Sequence, residues 1–171
     1  RMPLVEVIRG EQTSPEALAW ALDFVQALGK TPIVVNDARG FYTSRVFGTY
    51  ITEGMAMLAE GIAPALIENA GKRSGMPMPP LSLADEVGLA LMHQVGVQTE
   101  QDLGRAAPKN PSQPILTTMV RVHDRAGRRG DKGFYDYAEG GKRLWPGLRE
   151  LFPAGEAQPD ADELVERFLF T

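Results

Sequence analysis

Asn36-Asp37-Ala38-Arg39-Gly40-Phe41-Tyr42-Thr43-Ser44-Arg45 is a turn at which strand-forming sequence gives way to helix-forming sequence. Downstream, Phe47, Tyr50, Ile51, Met55 and Leu58 recur at three- and four-residue spacing and Gly61 supplies a stop, so a long helix is predicted to start near Tyr42. Upstream, Leu4–Ile8 and Thr31–Val35 are short β-branched runs that read as strands, Pro32 placing the second at a strand start or an edge. Between them, Thr13-Ser14-Pro15-Glu16 has the chemistry of a helix start, because a hydroxyl caps free N–H groups and proline lacks only a donor that the first turn cannot use. Leu18, Ala21, Leu22, Val25 and Leu28 line one face of that helix, and Gly29 terminates it.

Beyond Gly61 the patterns stay helical. A short helix is predicted from Pro64 to about Lys72, and Met76-Pro77-Met78-Pro79-Pro80 is a stiff connector. Helical patterns follow over Leu81–Glu86, from about Gly88 to Gln94, and from Gln113 to Ala126. Arg125–Tyr137 is a Gly-rich basic turn that runs into an aromatic, strand-like end, and 139–161 carries Gly, Pro and charge with little periodicity and reads as a linker. The fold class expected is mainly α, a helical bundle with a short strand stub at its N-terminus.

Composition narrows the function. Of 171 residues, 43% are hydrophobic and 23% charged, as in ordinary globular domains. A net charge of −4 gives no electrostatic reason to bind nucleic acid or an anionic membrane. The absence of cysteine excludes disulfides and thiolate metal sites, and the two histidines, His93 and His123, make no metal-binding spacing, so no metal site is expected. No apolar run approaches the ~20 residues of a membrane span. No secretory signal is evident at the start, and a cytoplasmic location is expected. The chain opens on Arg1 inside an apolar run and stops at Thr171 within a helical pattern, as a piece of a longer protein would.

The residues offer no catalytic constellation by themselves. A strand followed by G-x-G-x-x-G, a G-x-S-x-G elbow and a P-loop are all missing. Gly127, Gly130 and Gly133 with Arg128, Arg129 and Lys132 read as a tight turn with solvated charges in preference to an anion nest. Asp85 and Glu86 cannot converge on one substrate atom, since neighbours on a helix point about 100° apart. His123, on an apolar face, is expected to pack and not to act as a base. Glu6 stands alone among apolar neighbours in the first strand, as an edge-strand carboxylate facing water would.

The combination of segments is more specific. Met2-Pro3-Leu4-Val5-Glu6-Val7-Ile8, Leu28-Gly29-Lys30-Thr31-Pro32-Ile33-Val34-Val35 and Gly40-Phe41-Tyr42-Thr43-Ser44-Arg45 resemble the 3-hydroxyacyl-CoA dehydrogenase family. So do the Met-Pro connector followed by Asp85-Glu86-Val87-Gly88-Leu89, and Gly130-Asp131-Lys132-Gly133-Phe134-Tyr135-Asp136-Tyr137. The segments fall in the family's order from Met2 to Tyr137. Asp162–Thr171 looks like the opening of a second helical repeat, as in the multifunctional fatty-acid oxidation α subunit, which carries an enoyl-CoA hydratase domain upstream.

The resemblance implies oxidation of (3S)-3-hydroxyacyl-CoA with NAD in fatty-acid β-oxidation. In that family a histidine takes the 3-hydroxyl proton as hydride leaves for the nicotinamide, and a glutamate in the Leu-Val-Glu motif holds the other imidazole nitrogen. Glu6 occupies that position, and its histidine would precede Arg1. Ser44 occupies a position where many relatives have asparagine close to the reacting oxygen; it is a substrate-contact candidate or simply a residue of the first helical turn. Arg39 and Arg45 are expected to be solvated surface charges, with pairing to acids or approach to CoA phosphates as the other possibilities. The resemblance further implies residues 1–13 as the final strand of a dinucleotide-binding domain, 14–138 as a helical domain, 139–161 as a linker and 162–171 as the start of a second repeat. The chain alone is expected to bind no cofactor and to be inactive. A homodimer and a thiolase subunit are the protein partners implied, and the competing expectation is an interaction module without activity of its own. The helical domain of 6-phosphogluconate-dehydrogenase-like enzymes is a poorer match, because their catalytic lysine motif is missing.

Overall fold

A computed structural model describes residues 2–138 and 141–171, and the chain divides into two units, Arg1–Gly48 and Thr49–Thr171. In the first, β1 (Leu4–Arg9) and β2 (Thr31–Asn36) pair in parallel with Glu6 opposite Ile33. Parallel neighbours need a crossover, and α1 (Pro15–Ala27) provides it. Ser14 Oγ accepts the Ala17 N–H at 3.1 Å, so the predicted cap forms, and Val25 is the buried centre of the predicted apolar face. The pairing groups α1 and β2 with β1, whereas the sequence reading divides the chain between residues 13 and 14. Hydrogen bonding between strands is not visible in the periodicity of either one.

The turn after β2 leads into α2 (Tyr42–Ala59), inside which the boundary between units falls. The second unit is built around the later part of this helix, where Ile51, Met55, Met57 and Leu58 are fully buried. It continues through α3 (Pro64–Arg73), α4 (Pro80–Val87), α5 (Leu89–Leu103) and α6 (Gln113–Thr117). Their core residues include Ile67, Leu81, Ala84, Leu89, Ile115 and Leu116. The expected helix over Gln113–Ala126 is shorter than predicted, because it passes into a π-type turn over Thr118–Val122. Thr117 and Thr118 each donate their hydroxyl to the carbonyl four residues back, Gln113 O at 2.8 Å and Pro114 O at 3.0 Å, which loosens regular helical bonding. In the other direction, α5 runs to Leu103, well past the predicted end near Gln94.

The expected linker is partly structured. Residues 139 and 140 lie outside the described residues, but β3 (Tyr135–Ala138) and β4 (Gly141–Leu144) pair antiparallel, and α7 (Leu148–Leu151) buries Leu148. The final helix, α8 (Ala161–Phe170), returns to pack on α3 and buries Leu164 and Phe168. The Phe168 ring meets that of Tyr50 at 4.9 Å, and Arg167 reaches both Glu53 and Glu60.

Candidate functional site

Phe41, the residue before α2, has no side-chain oxygen to accept the free N–H groups of the helix's first turn. The acceptor comes from β1. Glu6 Oε1 takes the Thr43 N–H at 2.8 Å, which places a half-buried carboxylate at the positive end of the α2 dipole. A carboxylate cap of this kind contributes about 1 kcal/mol. The edge-strand reading therefore does not account for Glu6, whose charge is engaged by another element. Among the described residues Thr43 is its one hydrogen-bond partner. Ser44 follows Thr43 directly and is exposed at the same helix start. The structure thus brings the two predicted site residues to one place.

The turn that presents this helix start is tied from within. Gly40 has φ +70°, a left-handed conformation that a side chain disfavours. Arg45 folds back from the helix, its Nε donating to Gly40 O at 2.9 Å and its Nη2 to Arg39 O at 3.2 Å. Arg45 was expected to be a solvated surface charge; it is a donor to the turn instead.

A second polar cluster, in the Thr49–Thr171 unit, is buried. Asp85 accepts Phe134 N–H at 2.8 Å, Tyr135 N–H at 2.9 Å and the Tyr137 hydroxyl at 2.9 Å. Burial pushes its carboxyl up to about 6, against the opposing pull of those bonds and of Arg125. Glu68 accepts Leu81 N–H at 2.7 Å, Ser82 N–H at 3.3 Å and the Tyr135 hydroxyl, and burial raises its carboxyl too. Arg125, 5% exposed, donates to Gly133 O, Tyr135 O and Asp136, and stacks 4.1 Å from the Trp145 ring centre. Adjacent Glu86 points the other way, to Arg128. The carboxylates of Asp85 and Glu86 diverge as helix geometry requires, and each tacks the 127–137 segment to α4. Gly133 has no room for a side chain, since a Cβ there would run into the Asp85 carboxylate. His123 packs against Trp145 with ring centres 5.3 Å apart, which fits its expected packing role.

Reading the sequence missed Glu68. The available signal was an acid in the buried stripe Ile67, Ala70 and Gly71 of α3, a position that demands partners. It also missed the Thr43 amide, for which the clue was a long helix preceded by a phenylalanine, which offers no capping oxygen.

The residues present do not form a pyrophosphate site for a dinucleotide. The β1–α1 turn is Gly10-Glu11-Gln12-Thr13-Ser14, Pro15 brings no N–H to the helix start, and the Ala17 N–H is already taken by Ser14. Among the described residues, no group of His, Asp and Glu is arranged to hold a metal ion. Nor is any helix long and apolar enough to cross a membrane.

The family model described as 3-hydroxyacyl-CoA dehydrogenase, C-terminal domain, matches residues 40–137, and that described as 3-hydroxyacyl-CoA dehydrogenase, NAD binding domain, matches residues 1–38. The fatty acid oxidation complex subunit alpha of Shewanella amazonensis is 38% identical over 171 residues, which cover 98% of this chain and 24% of that protein. The chain therefore spans about a quarter of the length of such curated relatives. Among solved structures, (S)-3-hydroxybutyryl-CoA dehydrogenase from Ralstonia eutropha is similar with a TM-score of 0.71 and 34% identity, over 80% of this chain and 48% of that one. The dehydrogenase part of multifunctional enzyme 1 from C. elegans shares the fold, with a TM-score of 0.69 and 24% identity over 99% of this chain and 39% of that one.

Proposed function

The chain belongs to the 3-hydroxyacyl-CoA dehydrogenase family, and from that premise we propose that it contributes the orienting carboxylate and the helical domain to an NAD-dependent (3S)-3-hydroxyacyl-CoA dehydrogenase of fatty-acid β-oxidation. The protein so formed is a cytoplasmic multifunctional α subunit with an enoyl-CoA hydratase domain, and a second copy and a thiolase subunit are its proposed partners.

One observation carries this reading: Glu6 is held through one oxygen by the Thr43 N–H at 2.8 Å, with Ser44 beside it. Fixing Oε1 leaves Oε2 to accept a hydrogen bond from an imidazole N–H. The imidazole comes from polypeptide preceding residue 1. The carboxylate selects its tautomer and stabilises the cation that forms when the other nitrogen takes the 3-hydroxyl proton. The Ser44 hydroxyl donates toward the reacting oxygen, where a donor to developing charge contributes up to ~3 kcal/mol.

The test is Glu6→Gln in the whole protein, with NADH formation from a 3-hydroxyacyl-CoA followed at neutral pH. We expect kcat to fall about 100-fold or more with little change in KM, because glutamine cannot stabilise the imidazolium. Unchanged turnover rejects the assignment. The 171-residue chain alone is expected to form no NADH in the same assay.

A further inference from the structure

We propose that Arg45 is a positioning residue for the dehydrogenation, acting through Glu6; the proposal rests on the reading of Glu6 given above. Glu6 and Thr43 are 37 positions apart in the chain, so the carboxylate meets the amide only if the turn before α2 is held in one shape. Arg45 ties that turn with three hydrogen bonds. Its backbone N–H bonds Phe41 O at 3.0 Å, which sets it in the first turns of the helix. From there its guanidinium spans back to two successive carbonyls, Arg39 O and Gly40 O, at 3.2 and 2.9 Å. Gly40, at φ +70°, is the most conformationally permissive residue of the turn, and the fork closes on it.

The side chain is committed to this role. Among the described residues Arg45 has no carboxylate partner, although a surface guanidinium ordinarily finds one or remains in water. A planar fork with several fixed donors suits two neighbouring carbonyls, whereas a lysine ammonium offers a point charge without that geometry. Cross-linking the helix to its own entry turn aims the Thr43 N–H at β1. It thereby sets which way the Glu6 carboxylate faces.

Four variants of the whole protein test this: Arg45→Met, Arg45→Lys, Glu6→Gln and the double variant Glu6→Gln/Arg45→Met. Arg45→Met is expected to lower kcat about tenfold with KM little changed, the size of effect that a small misplacement of a catalytic group produces. It should move the acid limb of the kcat–pH profile to lower pH, in the same direction as Glu6→Gln, because a poorly aimed carboxylate stabilises the imidazolium less. Arg45→Lys should retain part of the rate. Once Glu6 is glutamine, adding Arg45→Met should change kcat by less than about twofold, since residues acting through one another are not additive. A tenfold loss in both backgrounds, or no loss in either, overturns the proposal. Amide hydrogen exchange on the whole protein supplies a readout that needs no turnover: Thr43 N–H should exchange faster in Arg45→Met and in Arg45→Lys, and unchanged exchange in both overturns the proposal. Full activity of Glu6→Gln by itself rejects the Glu6 assignment, and with it the positioning role of Arg45 in the reaction, whatever the exchange rates.

Discussion

At the scale of single residues, the two carboxylates that matter are defined by the backbone amides they accept. Glu6 takes one amide and keeps an oxygen available, whereas Asp85, 1% exposed, spends its oxygens on two amides and a tyrosine hydroxyl. Asp85 is therefore structural. Its pKa in the folded chain, about 6, lies above the ordinary aspartate value near 3.8, so the folded state takes up a proton first as pH falls. The stability linked to this group is fully present below the unfolded value and is lost as pH rises through about 6. Asp85→Asn cannot titrate, and so should remove about 1 kcal/mol of the gain in stability that the native chain shows between pH 7 and pH 5. Urea unfolding of both proteins at the two pH values measures this, and equal gains would reject it. At neutral pH the same substitution leaves one buried N–H poorly paired and should cost about 1–3 kcal/mol.

At the scale of elements, α8 is the clearest case of a segment whose role depends on where it lands. Its sequence, Ala161–Phe170, is amphipathic and reads as the opening of something new, yet its apolar side is used on α3. Phe168, 9% exposed, lies against Tyr50, and Arg167 joins Glu53 and Glu60 of α2 to this last helix. The burial of the ring outweighs the ion pairs, which are partly exposed and screened. Phe168→Ala is accordingly expected to lower unfolding stability by about 3 kcal/mol, and Arg167→Ala by about 1 kcal/mol or less. Thermal or urea unfolding orders the two; the reverse order would mean that α8 is held by charge. Helix limits were readable where caps and glycines mark them, as at Ser14 and Gly29. They were misjudged at Gln113–Ala126, where threonine hydroxyls compete for helical carbonyls.

At the scale of the whole molecule, the unit Thr49–Thr171 leaves Leu91 and Val95 of α5 about half exposed. They are four residues apart, so they share a face, and both line a groove with Arg121. If the proposed second copy seats on this face, the gain is modest, since a fully buried leucine or valine contributes about 1.5–3 kcal/mol. Light scattering over a concentration series should give a mass that rises from one chain toward two, and Leu91→Glu should hold it at one. A mass of one chain throughout would reject this assembly.

The amino-acid pattern alone determined the βαβ-then-helices order and the main buried positions of α1 and α2, because caps, turns and periodicity act over a few neighbouring residues, whereas Glu6 and Ser44 stood out only through the resemblance to a family. Only the tertiary structure decided that β1 pairs with β2, that Glu6 meets Thr43, that Asp85 and Glu68 anchor the segment around Tyr135, and that α8 returns to α3. Each of these joins residues far apart in the chain. Such meetings follow from the path of the folded backbone and from the demand that every buried amide and carboxylate find a partner, and local pattern does not encode either.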